Sequence, residues 1–146
     1  MRIHSLLFLL MTSSSFAQDA RVVSEVVRRS GYEQSLVEQY WEAGCNEAGP
    51  NAQNICALYG FVVEDLKLNE TYQALLTRLK DGAAKSKLRS AQRAWLNYRN
   101  LSCQYESHGE SGLYAAQVVN GCNRSLTAAR RSELQGKLTQ VGKYSS

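Results

Sequence analysis

Residues 91–103 read Ala91-Gln92-Arg93-Ala94-Trp95-Leu96-Asn97-Tyr98-Arg99-Asn100-Leu101-Ser102-Cys103, a run without glycine or proline. Its apolar residues recur at steps of three and four, the period of an amphipathic helix. Leu88, Ala91, Trp95, Tyr98, Leu101 and Ser102 form one stripe, which predicts a helix from about Ala84 to Tyr105 with Trp95 and Tyr98 in the core. Gln92 and Arg99, seven residues apart, share a face of their own beside that stripe. A half-buried arginine needs a carboxylate or several carbonyls, so Arg99 is read as a tie from one helix to another.

Three more segments carry the same period. The first runs from about Arg21 to Gly44, with a Val-rich start, Gly31 in its middle, and a firmer helical part from Tyr32 to Ala43. After the turn Gly49-Pro50-Asn51, a second helix runs from about Ala52 to Lys80, a rod of roughly 43 Å. Asp81-Gly82 is read as its stop, because glycine accepts the left-handed conformation that ends helices. The loop His108-Gly109-Glu110-Ser111-Gly112 precedes a last helix from Leu113 to about Val141, with a break allowed at Asn120-Gly121. No segment alternates long enough for a strand, and a single proline in 146 residues agrees with long helices. The expected fold is all-α, an antiparallel bundle of three to four helices.

The chain opens Met1-Arg2-Ile3-His4, followed by Leu6-Leu7-Phe8-Leu9-Leu10-Met11 and Thr12-Ser13-Ser14-Ser15-Phe16-Ala17. A positive start, an apolar run too short to span a bilayer, and Ser15-x-Ala17 before Gln18 make a secretory signal with its cleavage site. Residues 1–17 are expected to be removed, leaving one domain over 18–146, soluble and periplasmic or secreted. No Cys follows the cleavage point and no later apolar run reaches spanning length, so neither a lipid anchor nor a membrane span is expected.

Export favours disulfides. Cys45 and Cys56 flank the Gly49-Pro50 turn, and Cys103 and Cys122 flank the Gly109–Gly112 loop, so the local pairing Cys45 with Cys56 and Cys103 with Cys122 is preferred among three connectivities. Closing such loops stabilises by about 3 kcal/mol each. No Cys-x-x-Cys pair is present and His108 is the one histidine after the signal, so neither metal nor cofactor is expected.

The same scarcity removes Cys-His catalysis, and there is no Gly-x-Ser-x-Gly, His-Glu-x-x-His or phosphate-binding glycine loop. Glu64-Asp65 are neighbours about 100° apart on a helix and are read as a solvated face rather than a catalytic pair. The chain is therefore expected not to be an enzyme. Asn69, Asn100 and Asn123 match the short glycosylation pattern.

Charge is segregated along the sequence. Residues 25–70 hold eight acids and three bases, whereas 78–99 hold seven bases and Asp81. Loss of Arg2 with the signal takes the formal charge from +4 to +3. One consequence is weak attraction between antiparallel halves; another is a basic patch of Lys85, Lys87, Arg89 and Arg93 that meets an anionic envelope component. Export and the lack of a compact basic motif argue against nucleic acid.

Gln92-Arg93-Ala94-Trp95-Leu96-x-Tyr98-Arg99 leading to Cys103, together with Cys56, Leu68-Asn69-x-x-Tyr72-x-x-Leu75, Cys122 and Thr127-x-x-Arg130-x-x-x-Leu134, resembles the LprI-like lysozyme inhibitor family. The resemblance covers about residues 45–138. It implies a small exported helical domain with disulfides, in which Tyr72, Gln92, Trp95, Tyr98, Arg99 and Arg130 are structural motif positions. The function it implies is inhibition of a lysozyme; with no catalytic constellation in the chain, the expected function is blockade of a lysozyme or another peptidoglycan hydrolase, including as immunity against a delivered toxin. The family's naming member is a lipoprotein, which this chain does not match at its cleavage point. A net +3 gives no long-range attraction to a basic lysozyme, although the acidic segment offers a local one. The expected contacts are Glu42 and Glu47 on one disulfide loop and His108, Glu110 and Tyr114 on the other.

Overall fold

The computed structural model describes residues 20–46 and 49–143, so the signal expected over 1–17 and Glu47 lie outside the described residues. Five helices follow in order: α1 (20–30), α2 (Gln34–Glu42), α3 (Pro50–Arg78), α4 (Gly82–Glu106) and α5 (Gly112–Lys143), with no strand among the described residues. The segment expected as one helix from Arg21 to Gly44 is two. Gly31 adopts φ 72°, left-handed backbone that a side chain resists, and the Ser30 hydroxyl donates to Val26 O and accepts from Tyr32 N across the break.

Pro50 starts α3, where its missing N–H costs no hydrogen bond. Asp81 is the N-cap of α4, its carboxylate accepting from Ala83 N at 2.8 Å, rather than part of a glycine stop for α3. Gly82 is helical, and α3 ends because Leu79 turns extended. Asn120-Gly121 makes no break; α5 runs through it.

Two contacts at one offset fix how the long helices lie. Gln117 Nε2 donates to Pro50 O and Arg131 Nε to Glu64 Oε2, both spanning 67 residues, so α3 and α5 run parallel. Helix α4 returns antiparallel to both, because Arg99 reaches Asp65 and Thr127 while Gln92 meets Arg130. Helix α1 is antiparallel to α3, with Arg29 on Asp65 and Arg21 on Glu70. Successive long helices therefore alternate in direction, as short loops require.

Apolar burial forms two clusters. Val22, Val23 and Val26 of α1 and Val37 of α2 pack on Ile55, Leu58, Tyr59, Phe61 and Val62 of α3. Further along, Leu68 and Leu75 meet Leu134 and Leu138, with Leu88 and Trp95 of α4 against them. Each fully buried aliphatic side chain contributes about 1.5–3 kcal/mol. Both disulfides have the expected pairing, Cys45–Cys56 and Cys103–Cys122.

Glu25 accepts from Arg28 Nε at 2.8 Å and Arg29 Nε at 2.7 Å, knitting α1. The Arg28 bond, opposed by partial burial and aided by Arg29, brings its pKa down to about 2 from 4.5. A depressed carboxylate pKa gives stability that is complete above the unfolded value and lost as pH falls through the folded one. Melting curves should therefore show the wild type ahead of Glu25→Gln above pH 4.5, with the gap closing as pH approaches 2. A gap independent of pH would contradict this assignment.

Candidate functional site

Between the two apolar clusters lies a layer of buried charge. Asp65 is 8% exposed and accepts from Arg99 Nη1 at 2.9 Å and from Arg29 Nη2 at 2.7 Å. Arg99, equally buried, also donates to Thr127 Oγ1 at 3.0 Å, and its guanidinium lies over the Phe61 and Trp95 rings at 5.0 and 5.2 Å. Arg130 lies over Trp95 as well, at 5.8 Å, donating to Gln92 and Glu133. Such contacts stabilise a cation where water is excluded. The reading of Glu64-Asp65 as a solvated face is thus corrected: Asp65 anchors three helices and Glu64 is paired to Arg131 at 2.7 Å. Neighbouring positions on α3 point in different directions, and each meets its own arginine.

Gln92, Trp95, Arg99 and Arg130 accordingly act inside the protein, and Tyr72 packs against the second apolar cluster. Tyr98 does not share the core with Trp95 as expected; it is 57% exposed. Three residues turn a helix by about 300°, so Tyr98 sits at the edge of the stripe and faces outward. Leu101, at 58% exposure, likewise leaves the expected stripe for the surface. Of the glycosylation matches, Asn69 and Asn100 are exposed and Asn123 is buried.

Glu42 lies exposed at the end of α2, His108 and Glu110 lie exposed in the α4–α5 loop, and Tyr114 is 58% exposed at the start of α5. The parallel packing of α3 and α5 puts these residues at the end of the molecule that holds both disulfides. Residues 30–66 and 100–123 contain no Lys or Arg. Glu33, Glu38, Glu42, Glu106 and Glu110 are therefore left there without an ion pair among the described residues. Arg78, Lys80, Lys85, Lys87 and Lys137 occupy the opposite half. Arg124, packed along Gly60 of α3, is the cation nearest the disulfide end, and those five glutamates outweigh it. The protein is electrically polarised along its long axis, which a net charge conceals.

The basic residues of α4 do not make one patch. Arg89 and Arg93 are exposed on one face with half-buried Lys85 behind them, whereas Lys87 lines an apolar hollow of about 590 Å³ with Leu75, Leu79 and Leu88. A second hollow, about 520 Å³, lies by Cys45–Cys56, where Trp41 stacks on Tyr59 at 3.6 Å. Gly60 floors it, and the Arg124 side chain passes 3.1 Å from where a Cβ would stand. No group of three or more His, Cys, Asp or Glu among the described residues is placed to hold a metal ion. No described helix is long and apolar enough to cross a membrane.

The family model described as lysozyme inhibitor LprI matches residues 45–134. An uncharacterized protein of Rhizobium meliloti (strain 1021) is 33% identical over an alignment of 97 residues, covering 56% of this chain and 68% of that protein. No solved structure matches the chain significantly. The matched segment begins at Cys45 and includes both disulfides, the Asp65–Arg99–Thr127 contacts and the Gln92–Arg130 contact.

Proposed function

The chain belongs to the lysozyme inhibitor LprI family, and from that membership we propose that it binds a lysozyme-type peptidoglycan hydrolase and blocks its cleft. The family match carries this reading. Inhibition of this kind needs no catalytic group, only a stiff surface that excludes substrate and resists deformation on docking. Two disulfides and a buried ion network provide such stiffness. The target is a lysozyme met in a host or a wall-degrading toxin delivered by a competitor, the second making the chain an immunity protein. Its place of action is the periplasm or the medium, reached through cleavage after Ala17. The polarity of the fold answers the objection from net charge, since a basic hydrolase would meet the acidic end first.

The test is binding of the chain cleaved after Ala17 to a panel of immobilised hydrolases, comprising animal lysozymes, bacterial muramidases and peptidoglycan amidases. Saturable binding to at least one, competed by a soluble wall oligosaccharide, is expected. Absence of binding to every member at micromolar concentration would contradict the proposal.

A further inference from the structure

Helix α4 carries two apolar stripes, and only one is used by the fold. Leu88, Trp95 and Cys103 face the bundle with Gln92 and Arg99. Ala91, Ala94, Tyr98, Leu101 and Tyr105 recur at steps of three and four on the other side, and all five are exposed. Tyr98, Leu101 and Tyr105 are 57%, 58% and 78% exposed, and Tyr114 across the loop is 58% exposed. Soluble surfaces rarely leave such a group uncovered without an interaction to serve.

We propose that this outer face of α4, in its C-terminal half, is the surface that docks the target hydrolase, a protein with positive charge around its cleft. The proposal rests on the inhibitor reading and adds the place and chemistry of contact. Tyrosine offers large amphipathic area with little rotamer entropy to lose, which is why it anchors protein interfaces. A shallow, open groove of about 460 Å³ lies beside the stripe between Tyr98, Ser102 and Tyr105 of α4 and Val118 and Leu126 of α5, with room for a partner side chain.

Charge selects the occupant. Glu106 lines the groove with the tyrosines and Glu110 follows in the adjoining loop; residues 100–123 hold no Lys or Arg, Arg124 is turned onto Gly60 of α3, and the carbonyl end of α4 adds negative potential. A second copy packed by two-fold symmetry would set acid against acid, and an anionic lipid surface would be repelled. A hydrolase that works on an anionic wall polymer gains by being cationic where it grips that polymer, and the tyrosine face complements it.

The experiment compares inhibition constants, melting temperature and elution volume for the wild type, Tyr98→Ala/Tyr105→Ala, Glu106→Gln/Glu110→Gln and Arg89→Gln/Arg93→Gln. Loss of both tyrosines should weaken inhibition roughly 100-fold or more while leaving the melting temperature unchanged. Loss of both glutamates should slow association and flatten its salt dependence, and the arginine pair should change neither. Full inhibition by the tyrosine variant overturns the proposal, as does a wild-type dimer that this variant dissolves. A wild type that inhibits no hydrolase sinks the inhibitor reading itself.

Discussion

Replacing Asp65 with alanine is expected to destabilise the protein by about 3–5 kcal/mol, because it strands Arg99 in the interior without its carboxylate. A domain of this size has only about 5–15 kcal/mol in total. Arg29 suffers less, since it keeps Glu25 at 2.7 Å. Thr127 and the Phe61 and Trp95 rings would remain around the Arg99 guanidinium, but a hydroxyl and ring faces do not neutralise a buried cation. Arg99→Met should cost less than Asp65→Ala, because Asp65 retains Arg29 and the methionine fills much of the space. The double variant should recover part of the Asp65→Ala loss, since the charge that made the loss severe is gone. Urea unfolding of the three variants measures this. A cost below about 1 kcal/mol for Asp65→Ala would show that the layer is not a structural tie.

Removing Cys103–Cys122 by alanine at both positions is expected to cost about 3 kcal/mol, the chain-entropy value for a separation of 19 residues. Cys103 is fully buried, so alanine is preferred to serine, whose hydroxyl would lose its hydration there. The melting temperature should fall by roughly 10 °C or more. The same bridge holds the carbonyl end of α4 against α5, beneath Tyr98 and Tyr105. Inhibition should therefore weaken in the bridge variant even at temperatures where it remains folded. Unfolding within about 0.5 kcal/mol of the wild type would contradict the stated role of the bridge.

These two effects show which parts of the fold are legible in the sequence. Long runs at the helical period identify α3, α4 and α5 to within a few residues, and the two cysteine spacings give the bridges, because both are local properties. Gly31 marks a doubtful position without revealing that α1 ends there. Asp81-Gly82 contains both a cap and a glycine, and only the hydrogen bond to Ala83 decides that the cap belongs to the following helix. Arg99 advertises a need for a carboxylate, but Asp65 is 34 residues away and looks like its neighbour Glu64 until α3 and α4 are placed side by side.

The surface is less legible than the core for a physical reason. Tyr98, Leu101 and Tyr105 obey the same spacing as the buried residues, and periodicity cannot tell which of two stripes meets the bundle. The sequence does display an acidic segment followed by a basic one. That segregation becomes a spatial polarity only through the parallel pairing of α3 with α5, which carries Glu106 and Glu110 to the end occupied by Glu33, Glu38 and Glu42.

Inhibition is measured most directly as the rate at which a susceptible lysozyme clears a peptidoglycan suspension while the chain is titrated in. The rate should fall to baseline as the chain reaches equimolarity with the enzyme, and excess wall substrate should relieve the block. An undiminished rate at micromolar chain for lysozymes, muramidases and amidases alike would contradict the inhibitor reading.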